Sequence, residues 1–201
     1  MSYGQPSGLA GADKICTEIA EKSLPGSGEK TWHAFLSATK GGEGGGPVHA
    51  KDRIGKGPWY DRRERLIAMN LDALLQTRPM GADPMIANNL PNERGEPNQP
   101  DRSIDNHDML TGSNAKGELD TAASTCNDWT STASPTASMP GPMMGPRIGH
   151  AWPAGSGMGW MSAHLVPSCA PSVSLRQAGG GPQGVGSLGG YGGFYCFALT
   201  P

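Results

Sequence analysis

The hydrophobic positions of this chain fall into short segments that alternate with long polar and glycine-rich stretches. In the clearest segment, apolar residues recur at the spacing of a helix: Leu9, Ala12, Ile15, Cys16, Ile19 and Ala20. Ser7 is a suitable N-cap for this helix, and the pair Pro25-Gly26 would end it. Alternation over residues 32–37 predicts a strand, whereas residues 66–75 fit either a helix or a strand followed by a helix.

A second group of apolar residues lies near the C-terminus. The run at 194–199 (FYCFAL) is short, apolar and preceded by a glycine-rich tract, which predicts a buried strand. Residues 107–118 predict a short strand followed by a tight turn at 114–117, and we expect another strand to begin at 147.

Two long stretches show no such pattern. Residues 79–106 contain five prolines and five asparagines, and residues 130–146 are rich in Ser, Thr, Pro and Met. Stretches of this length without regular structure are usually functional or mobile. We therefore expect residues 1–8 to form a lead-in segment and residues 9–201 to form one domain with long loops at 79–106 and 130–165.

The composition indicates a modest core that needs cross-links. Leu, Ile, Val and Phe together number 28, and the 31 glycines and 18 prolines make up nearly a quarter of the chain. The net charge of −2 does not force disorder by self-repulsion. The four cysteines can pair in three ways, and the residues alone do not choose among them. Because no pair has the close spacing of a metal site, disulfides in an oxidising compartment are the favoured interpretation.

Several classes of partner and location are disfavoured by the same numbers. The chain has no apolar run of 18 residues that could span a membrane, and its near-neutral charge does not indicate a basic surface for binding nucleic acid. The first residues also lack the basic start and apolar segment of a leader peptide. We expect a secreted, cell-surface or periplasmic protein whose leader is absent from this chain.

Several short blocks together resemble the secreted bacterial C-type-lectin-like domain, and their order is similar to that of the endostatin-like branch of the superfamily. The blocks are Gly8 to Cys16, Trp32 to Ser37, Asp52 to Gly55, Gly57 to Tyr60, Leu110 to Gly117, Thr125 to Ser131, Ser162 to His164, Cys169 and Phe194 to Ala198. The resemblance implies an α+β C-type-lectin-like fold with two helices, twisted antiparallel strands and long loops. It also implies that the outer cysteines, Cys16 and Cys196, pair with each other, as do the inner cysteines, Cys126 and Cys169.

Lectins of this superfamily often hold calcium through Glu-Pro-Asn or Gln-Pro-Asp. The chain contains Glu96-Pro97-Asn98 followed directly by Gln99-Pro100-Asp101. Oxygen donors on a proline-stiffened backbone suit a hard cation, so Glu96, Asn98 and Asp101 are the predicted metal ligands and calcium is the candidate cofactor. The acidic and histidine residues at 105–108 could also supply ligands, but we interpret them as a solvated turn because no second histidine is suitably spaced.

The remaining candidate site combines aromatic and polar side chains. His150 and His164 flank Trp152 and Trp160 in the sequence, and aromatic faces beside polar groups suit sugar stacking or a protein contact. These four residues are the predicted ligand-binding set, with the alternative that one tryptophan belongs to the core.

We therefore expect a non-enzymatic extracellular binding domain that recognises a glycan or a surface protein through its long loops. The chain has neither a Gly-x-Ser-x-Gly elbow nor a His-Glu-x-x-His motif, and oxidised cysteines are not nucleophiles. A structural subunit that self-associates within a surface assembly is the second interpretation, and a hydrolase is the third.

Overall fold

The computed structural model describes residues 8–101, 103–133, 145–153, 158–175 and 183–199. Three helical segments occur there, Gly8–Ser23 (α1), Leu71–Leu74 (α2) and Cys126–Trp129 (α3). The strands are Trp32–Ala34 (β1), Trp59–Tyr60 (β2), Leu66–Ala68 (β3), Asp108–Leu110 (β4), Arg147–His150 (β5), His164–Leu165 (β6), Gly193–Phe194 (β7) and Cys196–Ala198 (β8). Single 3-10 turns lie at Ser27–Glu29, Glu43–Gly45, Ala50–Arg53 and Ala122–Thr125. The mixed α+β class is therefore confirmed, with one helical segment more than expected.

The strands form three small sheets. β1 pairs with β8 and β2 pairs with β3, both antiparallel, while the largest sheet has the order β6-β5-β4-β7. In that sheet β4 is antiparallel to β5 and parallel to β7. Of the two alternatives for residues 66–75, the structure shows a strand followed by a helix, β3 and then α2. Asn70 caps α2 by accepting a hydrogen bond from Ala73 N at 2.9 Å.

The C-terminal run forms two strands, not the single strand that its apolar character predicts. Gly193 and Phe194 (β7) pair with β4, whereas Cys196 to Ala198 (β8) pair with β1. Between them, Tyr195 O accepts a hydrogen bond from Phe35 N at 2.9 Å. The run therefore joins two sheets, which local hydrophobicity does not reveal because both halves look alike.

In the part of the chain that the structure describes, two clusters of buried apolar side chains make up the core. The first is lined by Phe35, Ile54, Trp59, Leu74, Trp160 and Phe197, and the second by Cys16, Leu36, Leu110, Ile148, Val166 and Val185. The apolar face of α1 packs on the second cluster, as its sequence spacing predicts, although the expected cap at Ser7 lies outside the described residues.

Both disulfides form as the resemblance implies. The outer disulfide, Cys16–Cys196, joins α1 to β8 across 180 residues with a Cα–Cα distance of 5.5 Å. The inner disulfide, Cys126–Cys169, spans 43 residues with a Cα–Cα distance of 5.7 Å. In the described part of the chain, no helix is long and apolar enough to cross a membrane.

Candidate metal centre

The four-stranded sheet brings three polar side chains to one of its faces. Asp108 of β4 lies opposite His150 of β5, and His164 of β6 lies opposite Ile148. Alternate residues of a strand point to the same face, so His150 and Ile148 share a face. His164 therefore joins Asp108 and His150 although the three residues are far apart in the sequence.

His107, which directly precedes β4, completes a cluster of four residues. We call His107, Asp108, His150 and His164 the histidine–aspartate cluster. Asp108 Oδ1 lies near all three imidazoles, 3.1 Å from the Nε2 atom of His107 and 3.5 Å from each of the other two Nε2 atoms. One donor atom from each residue can be chosen so that all four lie within 4.8 Å of one another.

These separations match the edges of a tetrahedral coordination shell. Nitrogen and oxygen donors bound to zinc at 2.0–2.2 Å with tetrahedral angles stand about 3.4 Å apart. The distances from Asp108 Oδ1 to the three imidazoles lie close to that value. The three distances from Asp108 Oδ1 are therefore of the size expected in a mononuclear site.

Within the described residues, the innermost polar atoms of the cluster have no hydrogen-bond partners. Both carboxylate oxygens of Asp108 and both ring nitrogens of His150 are buried and unpaired, and these side chains are 0% and 2% exposed. The Nε2 atom of His107 lies 3.1 Å from Oδ1, but the contact does not have the geometry of a hydrogen bond. Buried polar groups left unpaired cost free energy, and a bound cation would satisfy those that face it.

In two of the histidines, the contacts of the outer ring nitrogen, Nδ1, favour the imidazole tautomer that metal binding requires. His107 Nδ1 is hydrogen-bonded to the Asp105 carboxylate, and His164 Nδ1 lies 3.0 Å from the carbonyl oxygen of Leu165. When these nitrogens carry the proton and donate it, each Nε2 keeps its lone pair for a metal. Such outer partners are typical of metal-binding histidines.

The glycine-rich C-terminal tract packs directly against His107. Gly189 O accepts hydrogen bonds from His107 N and Asp108 N, both at 2.9 Å. A Cβ atom at Gly189 would lie 2.5 Å from His107 Cε1, and the φ of this glycine is +139°. Only glycine allows this approach, so the tract fixes the His107 ring and its Asp105 partner in place.

A half-buried arginine holds the other end of the cluster. Arg78 donates hydrogen bonds to His150 O at 2.6 Å, to Ala151 O at 2.5 Å and to Ala87 O at 3.1 Å. Burial lowers the pKa of this guanidinium from its usual value. Arg78 thus ties the end of β5 to the polar stretch that begins at residue 79.

The environment of the cluster separates the pKa values of two of its histidines. Burial lowers the pKa of His150 to about 3, and the nearby His107, His164 and Arg78 act in the same direction. Burial also lowers the pKa of His107, but the Asp108 and Asp105 carboxylates outweigh it and the net pKa is raised. His150 is therefore neutral at any physiological pH, which is the form that binds a metal.

The structure brings three of the four predicted ligand-binding residues together. His150 and His164 belong to the cluster, and the Trp152 ring stands edge-on to His107 at a centroid distance of 5.2 Å. Trp160 differs, because its indole is 1% exposed, packs on Phe35 and donates to Leu74 O at 3.0 Å. Trp160 is thus the tryptophan that belongs to the core.

Residues 105–108 form part of a buried site rather than the solvated turn expected from the sequence. Their exposed fractions lie between 1% and 8%. The partners of His107 arrive through the pairing of β4, β5 and β6, so no local histidine spacing could reveal them. The only signal in the sequence is a His-Asp pair at the start of a predicted strand.

Each predicted calcium ligand is hydrogen-bonded to a different neighbour. Glu96 pairs with Arg94 at 3.1 Å, and this hydrogen bond lowers the pKa of Glu96. The amide of Asn98 donates to Leu90 O at 2.7 Å, while Asp101 accepts from Ser103 N at 2.7 Å. Glu96 and Asn98 line an open cleft of about 450 Å³ in the described structure, and Asp101 is not among its lining residues.

No protein-family model, no curated protein and no solved structure matches this chain.

Proposed function

We propose that this chain is an exported, non-enzymatic binding domain whose recognition loops are organised by one divalent metal ion. The ion is bound by the histidine–aspartate cluster, and zinc fits the cluster best. The observation that carries this proposal is the Asp108 carboxylate, which is fully buried, unpaired and surrounded by three imidazoles.

The donor set favours zinc in a structural role. Imidazole and carboxylate donors at tetrahedral spacing suit zinc, whereas calcium takes six to eight oxygen ligands. Four protein donors complete a tetrahedral shell, which is typical of structural zinc sites, whereas catalytic zinc sites keep one position for water or substrate. With all four donors bound, no coordination position is left for water.

The position of the cluster explains how one ion could organise several loops. The stretch at 79–106 ends beside the cluster at Asp105, and the loop after β5 begins at Ala151, whose N–H donates to His107 O at 2.7 Å. The glycine-rich tract contacts it through Gly189. Metal binding would fasten these segments to one point, so their outer surfaces would keep a fixed relative position.

Export and ligand class rest on other features. Two disulfides support an oxidising compartment, and the α+β class together with the cysteine pairing agrees with the C-type-lectin-like resemblance. From that resemblance we infer that the ligand is a glycan or an extracellular protein. A glycan array probed with zinc-loaded protein should show binding that is lost after the metal is removed.

The metal itself is tested by elemental analysis and thermal unfolding of three proteins: wild type, Asp108→Asn and Asp101→Asn. Asp101 is the matched control because it is an exposed aspartate from the alternative calcium motif. We expect one zinc per chain in wild type and in the control, and none in Asp108→Asn. At a free zinc concentration a thousand times Kd, binding should stabilise the fold by about 4 kcal/mol. A wild type without zinc, or an Asp108→Asn variant that binds zinc as tightly as wild type, would refute the proposal.

A further inference from the structure

The four members of the cluster differ in their access to solvent. The side chains of His107, Asp108 and His150 are 7%, 0% and 2% exposed, whereas that of His164 is 26% exposed. His164 lies on β6, a strand of two residues at the edge of the four-stranded sheet. The cluster therefore has a closed side and an open side, and His164 alone lies on the open side.

The contacts that orient His164 are also weaker than those that orient His107. His107 is held by the Asp105 carboxylate and by the close backbone of Gly189. The one hydrogen bond described for the His164 ring goes to the carbonyl of the next residue, Leu165. That bond forms within the same short strand, so it does not tie the ring to another part of the fold.

Removing His164 from the shell would leave two histidines and one carboxylate, all buried. A divalent ion carries a charge of +2, the Asp105 and Asp108 carboxylates carry −1 each, and Arg78 carries +1, so the net charge is +1. A buried net charge is unfavourable in a medium of low dielectric constant, and an anionic donor would neutralise it. The open position is therefore better suited to a carboxylate than to a neutral group of the same shape.

We propose that His164 is an exchangeable metal ligand and that a carboxylate of the domain's binding partner takes its place, an inference that rests on the proposed metal centre. In the exchange, the bond from the metal to His164 Nε2 breaks and a bond from the metal to one carboxylate oxygen forms. The imidazole leaves as a neutral group, and no electron or proton is transferred. The metal is then part of the recognition site and not only a support beneath it.

The test uses cobalt(II) in place of zinc, because the visible absorption of cobalt(II) reports its coordination. Wild type, His164→Ala and the control His33→Ala are each titrated with acetate and with acetamide, its neutral counterpart. His33 is a suitable control because its side chain is 31% exposed and it lies outside the cluster. If His164 is dissociated less than a tenth of the time, His164→Ala should bind acetate at least about tenfold more tightly than wild type.

We expect His164→Ala to keep one cobalt ion, to respond to acetate at a Kd at least about tenfold lower than wild type, and not to respond to acetamide. The control should behave as wild type. A His164→Ala protein that loses cobalt while wild type binds it would overturn the exchange and leave the metal centre intact. An equal response to acetate and acetamide, or no response, would also overturn it. If wild type binds no cobalt or zinc, the metal centre itself is refuted.

Discussion

Acidification should destabilise the metal-free protein through one buried histidine. The folded state holds the pKa of His150 at about 3, against an ordinary value of 6.5. Between these two values, the unfolded chain binds a proton at His150 that the folded chain does not. The free energy of unfolding must then rise with pH, so stability is lost as the pH falls below 6.5.

The expected size of the loss follows from the width of the pH interval. Each pH unit in this window contributes about 1.4 kcal/mol, so a fall from pH 6.5 to pH 5 should remove about 2 kcal/mol. The contribution of His107 to stability changes with pH in the opposite direction, because the folded state raises the pKa of this residue. Its stabilising contribution is fully present below pH 6.5 and declines at higher pH, so it does not offset the loss due to His150 in this interval.

Denaturant unfolding at pH 5.0, 5.75 and 6.5 measures this dependence, with pyridine-2,6-dicarboxylate present to remove metal. His150→Gln is the matched variant, because its amide keeps a polar group at this position but does not titrate. The wild type should lose about 2 kcal/mol more than the variant over the interval. Equal slopes for the two proteins would show that His150 titrates normally and that the burial argument is wrong.

Three further predictions concern the supports of the fold and the cluster. Replacing both cysteines of the outer disulfide with alanine should lower the free energy of unfolding by about 5 kcal/mol, and the same change at the inner disulfide by about 4 kcal/mol, as measured by denaturant titration. Gly189→Ala should weaken zinc affinity at least about tenfold in a competition assay by displacing His107, whereas Gly81→Ala, at φ +74° with no atom within 4 Å of its Cβ position, should not. Arg78→Lys should lower the free energy of unfolding by about 3 kcal/mol in the denaturant titration, because one ammonium group cannot reproduce the forked hydrogen bonds of the guanidinium.

Features set by local chemistry were predictable from the sequence. The spacing of apolar residues in α1 identified the helix and the face that carries Cys16. The turn at 114–117 is present, with Gly117 N donating to Asn114 O at 3.0 Å. In both cases, the residues that determine the structure lie within a few positions of one another.

The histidine–aspartate cluster could not be predicted in the same way. Its geometry depends on the register of β4, β5 and β6, which is set by long-range pairing. The same limit applies to the two tryptophans that follow His150: Trp152 contacts the cluster while Trp160 fills the core. Local sequence does not show which of the two lies beside the cluster, and only the path of the chain distinguishes them.

The outer disulfide also determines how this domain would respond to mechanical tension. A pulling force applied at Gly8 and Leu199 would pass through Cys16 and Cys196, which lie close to those points in the sequence. The 180-residue loop between the cysteines would bear no load, so about 600 Å of chain could not be extended while the bond is intact. The face that carries the histidine–aspartate cluster would be shielded from stretching, and reduction of this one bond would turn an inextensible link into a long, compliant one.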